Sequence, residues 1–178
     1  MVQQKTAQKT FVLDTDVLLT SPFSVYSFDE HIVIVVDATI EDLNRAKEWN
    51  SEQGRNARET IRFLEDMAQK GSIINGVPLP GGGTFRIHCK YTATPVPLTW
   101  DPNDPQTRIL RACKSLDDNV ILVTNNMVMR LKADMLDPDR AVQDRADGRG
   151  REAVYRPRRA QCTGILPEFA LQKRERQS

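Results

Sequence analysis

Apolar residues along this chain fall into short, uniform runs that end abruptly in polar groups. Phe11-Val12-Leu13 is followed at once by Asp14-Thr15-Asp16, after which Val17-Leu18-Leu19 resumes. A short β-favouring run that stops at carboxylates predicts a buried strand over about 10–14 delivering Asp14 to a sheet edge. His31 to Asp37 (HIVIVVD) is the clearest strand, because five consecutive apolar β-formers leave neither face for water. Val120 to Val123 (VILV) is a third of the same kind, ending in Thr124-Asn125-Asn126.

Helical spacing fills the intervals. Short helical turns are expected after Val17 and over Ser24 to Glu30, and Asp37 and Thr39 offer N-caps to a helix through Ile40-Glu41-Asp42-Leu43. After a polar stretch from Asn50 to Arg55, Ala57, Ile61, Leu64 and Ala68 recur at helical intervals over 56–70, and Gly71 stops the run. Asn75 to Thr84 (NGVPLPGGGT) is turn chemistry leading into a strand at Phe85–Cys89, and Thr92 to Pro105 is a Pro-rich connection. Helices are predicted over 106–115, with Ile109, Leu110, Ala112 and Cys113 inward, and over 127–135. Asp117-Asp118-Asn119 is a turn. Strands alternating with helices in this order imply an α/β fold with a central parallel sheet.

Length adds one constraint: 178 residues is one domain with a sizeable core, plus a tail. Charge adds another. From Arg140 onward ten Lys/Arg face five Asp/Glu, whereas the first 139 residues hold 15 against 19. Residues 1–9 are therefore expected as a disordered N-terminus, 10–140 as the folded domain and 141–178 as a basic tail or linker on which no fixed structure is predicted. Cys89, Cys113 and Cys162 are odd in number and without zinc spacing. With only His31 and His88 beside them, a disulfide framework and a structural zinc are both disfavoured, which fits a reducing cytoplasm. No apolar stretch of membrane-spanning length and no signal-peptide pattern is present, so a soluble, cytoplasmic protein is expected, with no membrane partner.

Candidate chemistry comes from the strand ends. Asp14 and Asp16 follow the first strand, Asp42 lies just inside the helix after the second, Asn126 follows VILV, and Asp101 and Asp104 precede the helix near Gln106. Parallel, adjacent strands would bring these to the sheet edge where ligands bind in open α/β folds. Carboxylates crowded together ionise cheaply only around a cation, and an all-oxygen ligand set suits Mg²⁺ or Mn²⁺. Water activation against a phosphodiester is the reaction class that follows. Each acid also has a plainer role: Asp14 and Asp16 as a turn or cap, Glu41 and Asp42 as partners of a helix dipole, Asp101 and Asp104 as turn residues beside prolines. The run Gly81-Gly82-Gly83 lacks the GxxxxGK(S/T) pattern and reads as a turn. The D-x-D at Asp14–Asp16 also allows a HAD-like phosphatase, but no suitable downstream Lys accompanies it.

Five stretches taken together, VLDTDVLL, IEDLNRAK with GRNARE, NGVPLPGGG, TRILRAC and VILVTNNMVMRLKAD, resemble the PIN domain at the N-terminus of PhoH-type proteins, over about Thr10 to Arg145. That resemblance implies a three-layer α/β/α fold and a Mg²⁺/Mn²⁺-dependent ribonuclease acting on single-stranded RNA. It implies catalytic roles for Asp14, Asp42, Asp104 and Asn126, with Asp14, Asp42 and Asp104 on the metal. Asp14 matches the family's first acid and Asp42 the second. The third falls on Gln106, with Asp104 two residues earlier as its substitute, and the fourth on Asn126. Lys47, Arg55, Arg58, Arg130 and Lys132 are expected to hold the RNA backbone. The resemblance further implies a possible homodimer and, in full-length relatives, a P-loop ATPase domain that has no counterpart in these 178 residues. The competing expectation is a degenerate PIN fold serving as an RNA-binding or dimerisation module, since Gln106 and Asn126 carry no charge.

Overall fold

The computed structural model describes residues 8–116, 120–136 and 154–155. Its centre is β1 (Thr10–Leu13), flanked in parallel by β2 (Ile32–Val36) and β5 (Val120–Val123). Beyond β2 comes β4 (Thr84–His88), also parallel, and then β3 (Val77–Pro78), which is antiparallel. Val154–Tyr155 form a sixth strand, β6, antiparallel to β5, so the order is β3-β4-β2-β1-β5-β6.

The uniform strands behave as their composition requires. Because side chains alternate across the sheet, Phe11, Leu13, Val33, Val35, Phe85 and Ile87 point into one core and Val12, Ile34, Val36, Val120 and Leu122 into another. The first core is covered by α1 (Thr15–Thr20), a 3-10 turn (Ser24–Phe28), α2 (Asp37–Ala46) and α3 (Glu52–Lys70), through Leu18, Val25, Phe28, Leu43, Phe63, Leu64 and Met67. The second is covered by α4 (Pro105–Ser115) and α5 (Met127–Leu136), through Ile109, Leu110, Ala112, Cys113, Met129 and Ala133. The fold is a three-layer α/β/α sandwich. Among the described residues no helix is long and apolar enough to cross a membrane.

Four details differ from the sequence-based expectation. α3 begins at Glu52, four residues earlier than the apolar spacing indicates, because the Ser51 hydroxyl caps it by accepting from the Gly54 amide at 3.2 Å. Its buried face is Ala57, Thr60, Phe63, Leu64 and Met67; Ala68 is exposed, so the inward stripe runs through Phe63 and Met67 instead. Asp37 and Thr39 are inside α2 and do not cap it: Val36 occupies the cap position, and Asp37 accepts from the Ala38 amide within the first turn. The polar surroundings of Val154–Tyr155 gave no strand signal, yet these residues pair with β5. The expected turn at Asp117-Asp118-Asn119, residues 1–7 of the segment 1–9 expected to be disordered, and nearly all of the expected basic tail lie outside the described residues.

The elbow between α2 and α3 is fixed by a close backbone approach. A Cβ at Gly54 would collide with the Trp49 carbonyl and crowd that of Ala46. We expect Gly54→Ala to cost about 1–3 kcal/mol, the usual range for forcing extra volume into a packed site, and to lower the melting temperature accordingly. An unchanged melting temperature would show that the elbow yields.

Candidate functional site

The parallel register sets the ends of β1 and β5 level: Leu13 lies opposite Val123, and the Asp14 amide donates to the Val123 carbonyl at 3.0 Å. Asp14 and Thr124 are thus the first residues past neighbouring strands. Asp14 caps α1, its Oδ1 accepting from the Thr15 amide at 2.7 Å, while its Oδ2 accepts from the Thr124 hydroxyl at 2.6 Å. Thr124 is held in turn by the Asn126 amide, which donates to its Oγ1 at 3.0 Å. Asp16, one turn-step further, takes the Asn125 amide on Oδ2 at 2.9 Å, and its buried Oδ1 has no partner. Asp42 joins from α2, where its Oδ2 accepts from the Thr15 hydroxyl at 3.2 Å and its Oδ1 pairs with Arg45.

Burial and charge make this an uncomfortable place for acids. Asp14 is 5% exposed. Desolvation, and then the negative charge of Asp16, push its carboxyl from 3.8 up to about 7, against the pull of the Thr124 and Thr15 hydrogen bonds. Burial raises Asp16 as well. The all-oxygen donor set and the orphaned Oδ1 of Asp16 fit a hard divalent cation, which would relieve both the repulsion and the missing contact. Among the described residues no group of three His, Cys, Asp or Glu encloses a metal position. A cation at Asp14–Asp16 would therefore keep several waters, as Mg²⁺ readily does.

The residues expected from the sequence divide into two groups. Asp14 and Asp42 are brought together through Thr15, and Asn126 joins them through Thr124. The Asn126 side-chain oxygen, however, is taken up by capping α5, accepting from the Val128 and Met129 amides at 2.9 and 3.3 Å. Asp104 is engaged elsewhere: it caps α4 by accepting from the Thr107 amide and hydroxyl, and it pairs with Lys132 at 3.3 Å. Burial works to raise its carboxyl, but Thr107 and Lys132 outweigh this and hold it below the usual range. Lys132 also sits 5.5 Å from the centroid of the Trp100 ring. Arg130 is exposed on α5, Arg55 and Arg58 are exposed on α3, and Lys47 closes the C-terminal end of α2.

Three features escaped the sequence-derived ligand set. Asp16 is the nearest charge partner of Asp14, and the D-x-D spacing at a strand end was the signal for it. Thr124 orients Asp14, and only the strand register reveals it. Arg108 forms a hub between α4 and α2: it forks onto Glu41 at 2.5 and 3.0 Å, reaches Asp37 at 3.0 Å, and donates to the Tyr91 hydroxyl at 3.0 Å. Tyr91 donates to Asp37 at 2.5 Å. This network occupies Glu41, while its neighbour Asp42 bonds the Thr15 hydroxyl. No sequence pattern announces it, because its members lie up to 71 residues apart.

Comparison with known proteins agrees with this geometry. The sequence model of the family described as PIN domain matches residues 11–138. The chain belongs to the PIN domain family. It is 35% identical over 140 residues to protein PhoH2 of Bacillus subtilis, covering 72% of this chain and 31% of that protein. It is 38% identical over 133 residues to protein PhoH2 of Thermobispora bispora, covering 72% and 30%. A third PhoH2, from Mycolicibacterium smegmatis, is 35% identical over 135 residues. The chain spans about three-tenths of the length of these relatives. The expected PhoH-type PIN domain is what the chain contains, a nuclease-like domain with its acids at the C-terminal edge of a parallel sheet.

The Asp14 pair has a consequence for stability. A carboxyl titrating near 7 when folded and near 3.8 when unfolded binds more protons in the folded state between those values. Its stabilising contribution is therefore lost as pH rises through that window. In metal-free buffer, Asp14→Asn should melt progressively higher than wild type as pH increases from about 4 to 7, by roughly 2–4 °C per kcal/mol of repulsion removed. A wild-type and mutant difference independent of pH would contradict the assignment.

Proposed function

We propose that this PIN domain is a Mg²⁺- or Mn²⁺-dependent endoribonuclease acting on single-stranded RNA. The observation that carries the reading is the buried Asp14 carboxyl held against Asp16, with an unpartnered Asp16 oxygen beside it. A divalent ion held there would supply Lewis-acid stabilisation of phosphate charge and a more acidic water. Asp14 and Asp16 are its ligands in this proposal. The Thr15 amide and the Thr124 hydroxyl fix the Asp14 carboxylate so that no reorientation is needed when the ion binds. Asp42, half-buried and tethered through the Thr15 hydroxyl, is placed to hold a water or take its proton.

Asp104 belongs to the rim in this reading, where it keeps Lys132 extended toward the edge. Lys132, Lys47, Arg55, Arg58 and Arg130 would meet the RNA backbone as point charges that position without reading sequence. RNA as substrate is supported by membership of the PIN domain family.

One observation favours a second reading, a degenerate PIN fold that binds RNA or a second copy without cutting. Two positions where the family has acids are Gln106 and Asn126, and the Asn126 oxygen is spent on capping α5. The two readings part in one assay. With Mn²⁺ and an unstructured RNA, wild type should cleave, and Asp14→Ala and Asp16→Ala should each slow cleavage on the order of 10²-fold or more while retaining a cooperative melt. Cleavage by wild type no faster than by Asp14→Ala would sink the nuclease reading. A gain of cleavage in the double variant Gln106→Asp/Asn126→Asp would then establish the degenerate one.

A further inference from the structure

Trp49 is one of seven large hydrophobic side chains exposed among the described residues, 48% open to solvent. It stands on the elbow between α2 and α3, and three contacts hold that elbow rigid. The Trp49 amide donates to the Ala46 carbonyl at 3.0 Å, its carbonyl lies against Gly54 where only glycine fits, and Arg58 donates to the Lys47 carbonyl at 2.5 Å. An indole presented on a fixed backbone loses little conformational freedom when a ligand stacks on it.

The elbow is also continuous with the acid site. Thr15 bonds Asp42, Asp42 pairs with Arg45, and α2 ends at Ala46, capped by Lys47, with Trp49 in the turn that follows. Trp49 is seven positions along the chain from Asp42, just past the C-terminal end of the helix that carries that acid. Arg45, Lys47, Arg55 and Arg58 surround the indole in sequence, with Glu48 and Glu52 among them, a net charge of +2. So modest an excess of charge leaves the aromatic face as the main source of affinity.

We propose that Trp49 is a stacking platform for an unpaired base of the RNA strand. Stacking on an exposed aromatic is tolerant of sequence and requires an unstacked base, so it selects single strands over duplex. The inference rests on RNA being the ligand of the acid site. It adds the element that distinguishes a strand with free bases from a bare phosphate backbone.

The test uses the Trp100→Phe chain, in which Trp49 is the sole tryptophan, in EDTA so that nothing is cut. Its emission is titrated with a uridine hexanucleotide, an abasic hexamer of the same length and a blunt RNA duplex. Saturable quenching by the hexanucleotide, absent with the abasic strand and the duplex, is the expected result. Trp49→Ala should weaken hexanucleotide binding roughly 5- to 100-fold, the effect of losing one stacked base, and Trp49→Phe should recover most of it with both variants melting like wild type. No quenching, or quenching equal for the abasic strand or duplex, overturns the platform. Cleavage with Mn²⁺ and no quenching would defeat the platform alone; quenching without cleavage would defeat the nuclease reading and leave the platform standing.

Discussion

Everything at this site depends on one carboxyl being held where it is costly to ionise. Asp14 follows directly on β1, which has a parallel neighbour on either side, so its backbone cannot retreat toward water without breaking the sheet. Its side chain is buried, oriented by Thr15 and Thr124, and faced by Asp16. A protein gains nothing in stability from such an arrangement. Perturbed acids in a strained electrostatic setting are characteristic of functional sites, and a divalent cation is the simplest agent that makes both ionised carboxyls favourable.

The remaining architecture serves that placement. Parallel pairing of β1, β2 and β5 brings three strand ends to one edge, and the helix after each begins there. Arg108 draws α4 onto α2 by engaging Asp37 and Glu41 together, so that the first turns of α2 present Asp42 to Thr15. The rigid α2–α3 elbow then carries the surface outward from the acids to Trp49.

Much of this was legible in the sequence where local chemistry decides structure. Uniform apolar runs such as HIVIVVD and VILV can only be buried strands, and the polar residues that end them mark the sheet edge. Asp14, Asp42 and Asn126 were singled out that way. What was not legible depends on register and on distant partners. The hydroxyl of Thr124 orients Asp14 across 110 residues, and Arg108 lies far from both acids it pairs. Asp104 shows the same limit from the other side: the resemblance implied a place on the metal, and the structure has it capping α4 and holding Lys132. The start of α3 was missed because Ser51 and Gly54 act through backbone amides, which apolar spacing does not register.

The most direct measurement is calorimetric titration of Mn²⁺ into the wild-type protein and Asp14→Ala at neutral pH. The account predicts saturable binding to the wild type, with protons released as Asp14 ionises, and loss of that binding in the variant. Absence of binding to either, or equal binding to both, would contradict a cation site at Asp14 and Asp16.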